Sequence, residues 1–327
     1  MIYLYFIVLA VSFLVLFKCA DFFIDGSVSL AHVFRIPKLT VGIVFVGLAT
    51  TAPELAVSVQ AAFLGHPEIS LGNAVGSVIT DDGVAMALAG ILASTAIIVN
   101  CRVLRIVGAF LLAVDFFAYF LVRNGVVSRG EGVILLLLLI LYFAVIILMQ
   151  KSKKGFFSVP KEQLVEKELD DEENRGKMIR KCVFLFLGGI IGVIITSRVI
   201  IWSAVHISYY FSISETIIGL TVIAIGTSLP EISTAVTAAV KGEGEIAVGN
   251  ILGADVLNIL WIIGMSAVVR PINVEAGVVR FTFPYMILIV TVMLASMGIG
   301  CKFGRVKGAL LFFLYVIYIL WVLLFLI

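Results

Sequence analysis

Glu54 and Glu231 each stand directly after a proline, inside segments that are otherwise strongly apolar. A carboxylate is costly to hold in lipid, and one placed there marks a pathway for ions or protons. Residues 47–82 read GLATTAPELAVSVQAAFLGHPEISLGNAVGSVITDD, and residues 224–259 read AIGTSLPEISTAVTAAVKGEGEIAVGNILGADVLNI. A constant offset of 177 positions aligns them without a gap, so Thr50 falls on Thr227, Pro53 on Pro230, Glu54 on Glu231 and Asn73 on Asn250.

The chemistry of each copy follows from its proline. Pro53 has no amide hydrogen, so the carbonyl of Ala49 one turn back loses its helical partner. Inside a membrane such a carbonyl must line a polar cavity or be satisfied by another group. Thr50 and Glu54 are four apart and share a helix face beside it. Gly226, Thr227, Pro230 and Glu231 repeat the arrangement. A second polar stripe runs through Asn73, Ser77 and Asp81, at i, i+4 and i+8. Its echo is Asn250, Ala254 and Asn258, with Asp255 alongside. Carboxylates, amides, hydroxyls and carbonyls make an oxygen-only donor set, suited to calcium and sodium and not to zinc or copper.

Taken singly, these features have plainer readings. A membrane proline is often only a kink, the Gly72-to-Gly76 spacing is a helix-packing signal, and Asn73 alone reads as an interhelical hydrogen bond. Recurrence with the same neighbours in both halves is what moves Glu54 and Glu231 toward a site. Asp115 has no partner in the repeat and reads as structural or interfacial. His32, His66 and His206 read as ordinary residues of span ends and loops.

The chain must supply membrane helices to position these groups. It is 62% hydrophobic and 13% charged, outside the range of soluble globular domains. Ten spans can be drawn, at about 2–25, 39–64, 69–94, 103–122, 131–150, 182–206, 216–241, 246–268, 279–299 and 306–326. The first lacks the basic start and small-residue cleavage pattern of a signal peptide. The fold class expected is an all-α polytopic membrane protein. Its first five-helix repeat is 1–150, its hydrophilic loop 151–181 and its second five-helix repeat 182–327. An odd number of spans per unit makes the two repeats inverted.

The positive-inside rule sets the orientation. Arg35, Lys38, Arg102, Arg105, nine basic residues from Lys151 to Lys181, Lys241, Lys302, Arg305 and Lys307 fall on one side. Only Arg123, Arg129, Arg270 and Arg280 fall on the other. Both termini are thus expected outside a cell membrane and the central loop in the cytoplasm. Cys19, Cys101, Cys182 and Cys301 then lie toward the reducing side without a CxxC pair, so four free thiols are expected. The central segment mixes both charge signs, which gives nucleic acid no footing; the expected partners are the bilayer and the transported ions, with no cofactor.

GLATTAPE and AIGTSLPE, followed by GNAVGS and GNILGAD, resemble the two alpha repeats of the calcium/cation antiporter superfamily. The prokaryotic sodium/calcium exchangers are the most similar branch. The resemblance implies ten spans and exchange of calcium for sodium by alternating access. It also implies calcium between Glu54 and Glu231, assisted by the carbonyls of Thr50 and Thr227. Sodium would use the same glutamates with Ser77, the Thr51 and Ser228 hydroxyls, and carbonyls in the turns of Ala49 and Gly226. Three departures stand out. Ala254 replaces a serine, Asp81 and Asn258 exchange the usual asparagine and aspartate, and Asp82 and Asp255 are additional carboxylates. They bear on the coupling ion, leaving proton- or potassium-linked calcium exchange as the alternative. An intramembrane enzyme lacks a nucleophile–base pair here, and a channel lacks a ring of filter loops.

Overall fold

The computed structural model describes residues 2–33, 51–151 and 172–325. Ala49 and Thr50, with Arg35, Lys38 and most of the central hydrophilic segment, lie outside them. Helix α1 (Ile2–Val33) is followed by α2 (Ala52–Leu64), α3 (Pro67–Leu92), α4 (Cys101–Val122) and α5 (Arg129–Lys151). The second half comprises α6 (Glu172–Phe211), α7 (Glu215–Thr227), α8 (Leu229–Val240), α9 (Gly244–Val269), α10 (Val278–Cys301) and α11 (Arg305–Phe325).

Among the described residues, eight helices are long and apolar enough to cross a bilayer, or nine if the bent pair α7–α8 is one span. The protein is therefore a polytopic helical membrane protein. The count differs from ten because span 39–64 retains only α2 here. At 1.5 Å per residue, α2 is about 20 Å long, short of a hydrocarbon core of about 30 Å. Leu137, Ile140, Phe184, Ile195 and Phe313 are exposed on the outer helices, as lipid-facing side chains are.

Burial separates two layers. Helices α3 and α9 are the innermost and mostly buried, whereas α1, α5 and α11 are mostly exposed. Helices α1 and α6 pack against each other as a pair, and α2 contacts both. Helix α3 packs on α2, α7, α10 and α11. Its crossing with α7 is set by small residues: an added Cβ on Gly76 would lie 2.6 Å from the Leu220 carbonyl, and one on Gly219 would lie 3.0 Å from Gly72 Cα. The Gly72-to-Gly76 stripe is thus a packing face in fact, and it brings the first polar stripe against the broken helix of the second half.

The local irregularities recur at the offset seen in the sequence. Helix α3 carries a π turn at Asp81–Met86 and α9 carries one at Asn258–Ile263. Gly65 and Gly242 both adopt positive φ, 103° and 83°, where the chain reverses after α2 and α8. Two short antiparallel ladders join connectors from different halves. Strand β1 (Ile97–Ile98) pairs with β4 (Lys302–Phe303), and β2 (Val126–Val127) pairs with β3 (Ile272–Asn273). These ladders gather Arg102, Arg105, Lys302, Arg305 and Lys307 at one end of the molecule. Lys241 joins them, because Ser94 Oγ in the β1 connector donates to the Val240 carbonyl. Arg123, Arg129 and Arg270 sit at the other end, where the Arg129 guanidinium donates to the Val269 carbonyl.

The expectation of four free thiols fails for one pair. Cys101 and Cys301 are bonded to each other, with Cα atoms 5.6 Å apart; Cys19 and Cys182 are free. Spacing along the chain could not reveal this, because the β1–β4 ladder brings together residues 200 positions apart.

Candidate ion-binding site

Both helix breaks have the same local build. Thr51, at φ −84° and ψ 1°, precedes α2, and Ser228, at φ −77° and ψ 0°, precedes α8. The Leu55 amide donates to the Thr51 carbonyl at 3.1 Å, and the Ile232 amide to the Ser228 carbonyl at 2.9 Å. Pro53 and Pro230 occupy the first turns, where a missing amide hydrogen is tolerated. Pro230 therefore gives nothing to the Gly226 carbonyl one turn back, and the axis bends by 43° between α7 and α8. Each break places its glutamate in the first turn of the following helix. The positive end of a helix dipole favours a carboxylate at that position.

Glu54 and Glu231 are both buried, each with 1% exposure. Thr51, Thr227, Ser228, Asn73, Ser77, Asp81, Asp255 and Asn258 are buried with them. Asn250 and Gly226 flank the same region, Asn250 half-buried and Gly226 buried against the Phe13 ring of α1. Ala254 is buried and brings no hydroxyl.

Asn73 ties the two halves together. Its Nδ2 donates to Ser58 Oγ at 2.9 Å and to the Glu54 carbonyl at 3.3 Å, while its Oδ1 accepts from Thr227 Oγ1 at 3.0 Å. The Ser70 hydroxyl donates to the Ser58 carbonyl. The Thr227 side chain also lies beside the Glu54 carboxyl, and the Ser228 hydroxyl beside Asp81. The carboxyl oxygens of Glu54 and Asp81 and the hydroxyl of Ser77 have no hydrogen-bond partner at full geometry among the described residues. Buried oxygens left this way are costly unless a cation compensates them. No group of three His, Cys, Asp or Glu side chains converges tightly enough to hold a metal ion by itself among the described residues. Carbonyl and hydroxyl oxygens must therefore complete any coordination shell, as the mixed donor set of the breaks suggests.

The sequence reading missed Ser58 and Ser70. Ser58 lies one turn after Glu54 and Ser70 one turn before Asn73, a signal available from helical spacing. Asp115 is fully buried, which sets the interfacial reading aside and leaves the structural one; it shares the electrostatic neighbourhood of Asp82 and Asp255, whose carboxyls adjoin each other. His66 is more than a loop residue, since its Nδ1 is 2.8 Å from Glu215 across the halves.

The pattern of the family described as sodium/calcium exchanger protein matches residues 4–148 and 181–324. The chain belongs to the sodium/calcium exchanger family. Among its relatives in that family is the inner membrane protein YrbG of Escherichia coli, 32% identical over 86% of this chain and 85% of the relative. The sodium/calcium exchanger MaX1 of Methanosarcina acetivorans is 28% identical over 98% of each chain. Solved structures of the sodium-calcium exchanger NCX_Mj superpose with a TM-score of 0.63 at 26% identity, over 98% of this chain and 99% of that one. A family membership of this kind makes the chain a transporter, not an enzyme.

Proposed function

We propose that this exchanger moves calcium out of the cell against an inward flow of sodium. Both ions would compete for a site between Glu54 and Glu231. The observation that carries the reading is the pair of buried glutamates, each in the first turn after a helix break and linked across the halves through Asn73 and Thr227. Two carboxylates match the charge of one divalent ion, and Thr51, Ser77, Thr227, Ser228 and the carbonyls of the breaks supply neutral oxygens. Ala49 and Thr50, with the first break's carbonyls, belong to the same proposal from sequence. Asp81, Asn250, Asp255 and Asn258 complete the polar lining. No resident cofactor enters the scheme.

The two halves, 1–150 and 182–327, are read as inverted repeats joined by the loop 151–181. Alternating access then consists of exposing one fixed site to each side in turn. The collection of Arg102, Arg105, Lys241, Lys302, Arg305 and Lys307 at one end supports a cytoplasmic assignment for that end, with both termini outside.

A second reading of the coupling ion has its own support. Asp82 and Asp255 are additional buried carboxyls close to Asp81, and buried Asp115 is a neighbour of both; protons or potassium ions could balance them. One experiment separates the readings: radioactive calcium uptake into proteoliposomes under outward gradients of sodium, proton or potassium, imposed one at a time. Uptake driven by sodium alone supports the main reading. Uptake that ignores sodium and follows a proton or potassium gradient overturns it.

A further inference from the structure

The Cys101–Cys301 bond is remote from the glutamate breaks, at the basic end of the molecule. Cys101 begins the 22-residue helix α4, and Cys301 sits at φ 51° in the last turn of α10. The Val99 amide donates to the Cys301 carbonyl at 2.9 Å, which continues the β1–β4 ladder. Both cysteines are half-buried, so a soluble reagent can reach them. Arg102, Arg105, Lys302 and Arg305 around them are exposed. Lys307 donates to the Lys302 and Ile299 carbonyls of the same turn. A helix N-terminus and neighbouring cations both stabilise a thiolate, which is the setting of a reactive cysteine and not of an inert one.

The ladder also braces the second half. Ile97 of β1 packs on Gly244, the first residue of α9, so closely that a Cβ there would lie 2.5 Å from the Ile97 side chain. Ser94 bonds to Val240 at the end of α8, the helix that carries Glu231.

We propose that Cys101 and Cys301 are a reversible redox-modification site on the cytoplasmic face, and that its state sets how firmly β1 braces the α8–α9 hairpin. A cellular dithiol, as a thiolate, attacks the Cys301 sulfur and forms a mixed disulfide. The Cys101 thiolate leaves, stabilised by its helix terminus and arginines. The reductant's second thiol then displaces Cys301, so two electrons and two protons pass from the dithiol to the pair. A disulfide-bearing oxidant, such as oxidised glutathione, reverses the process. The sidedness rests on the orientation proposed above.

The test uses the full-length protein in membrane vesicles of both orientations and a membrane-impermeant maleimide of high mass. After treatment with oxidised glutathione, the wild type should gain two further adducts only when a dithiol reductant is added, and only in inside-out vesicles. The Cys101→Ser/Cys301→Ser double variant should gain none. Adducts at both positions without reductant overturn the pairing, and labelling from the outer face overturns the cytoplasmic redox site. In proteoliposomes, reduction should raise the initial calcium flux of the wild type by about twofold or more, as release of a brace on a moving hairpin would. The double variant should match the reduced rate and ignore the reductant, and reduced wild type alkylated with N-ethylmaleimide serves if that variant folds poorly. Equal flux in the oxidised and reduced states overturns the brace. Flux absent in every state, with labelling as expected, overturns calcium exchange and leaves the thiol pair supported.

Discussion

The two copies of the glutamate motif are alike in backbone and unlike in surroundings. Around Glu54, the positions Pro53, Val57, Ser58, Ala61, Ser70 and Asn73 are all buried. In the second copy Pro230 and Asn250 are only half-buried, and Ser233, Thr234 and Thr237 of α8 are exposed. The hydroxyl network differs too. Ser58, which anchors Asn73, and Ser70, which bonds to the Ser58 carbonyl, have Ala235 and Ala247 at the corresponding positions, so Asn250 cannot be held the same way. Three exposed hydroxyl side chains on a membrane helix suit a water-lined path better than a lipid contact. The lesson is that a duplicated motif can specialise: one copy is a fixed, hydrogen-bonded wall, and the other presents the exposed hydroxyls that a passage toward the basic end would need.

The largest effect should fall on what the copies share. Glu54→Gln and Glu231→Gln each remove half of the charge offered to a divalent ion by the pair. Calcium exchange should fall to background for both variants while membrane expression persists, because a neutral amide is cheaper to bury than a carboxylate. Normal flux from either would show that the site lies elsewhere.

Next in size is the contrast in access. In a cysteine-free background, Thr234→Cys should react with a hydrophilic thiol reagent applied from the basic end, and Val57→Cys should not. Similar reactivity at both positions would erase the distinction between wall and passage.

Asn73 offers a third probe. Asn73→Ala removes the acceptor of Thr227 and leaves Ser58 without its donor, whereas Asn250→Ala removes no contact of the Ser58 kind, because Ala235 stands at that place. The first should therefore cost more thermal stability in detergent than the second, by about 1–2 kcal/mol. Equal melting temperatures would contradict the asymmetry.

The smallest effects concern the exchanged residues. Ser77→Ala should raise the sodium concentration needed for half-maximal calcium flux, and Ala254→Ser should lower it, each by about fivefold or less, as befits one neutral ligand. Asp81→Asn should impair exchange, and adding Asn258→Asp should recover part of it if one negative charge is shared across the pseudo-twofold axis. Equal impairment in the single and double variants removes that pairing.

Much of this was legible in the residues themselves. The proline–glutamate pairs, the polar stripe of Asn73, Ser77 and Asp81, and the close-packing glycines follow from helical spacing, which is a local property of the chain. Ser58 was legible on the same ground but is masked by its resemblance to any serine of a membrane helix. The Cys101–Cys301 bond, the His66–Glu215 contact and the neighbourhood of Asp82, Asp115 and Asp255 were not legible. Each joins residues far apart in sequence, and only the packing of helices from both halves decides such meetings. The π turns at Asp81 and Asn258 were hidden for another reason, since one extra residue in a turn leaves the hydrophobic pattern nearly unchanged.

The two ladders pair every one of their strands with a strand from the opposite half, β1 with β4 and β2 with β3, and α1 packs along α6. The halves are thus clasped at both ends and along one side by contacts that owe nothing to the peptide joining them. Severing the chain within 152–171 should leave a protein that stays whole. Two separately translated fragments, ending and beginning there, should find each other in the same membrane and copurify through a tag on either one.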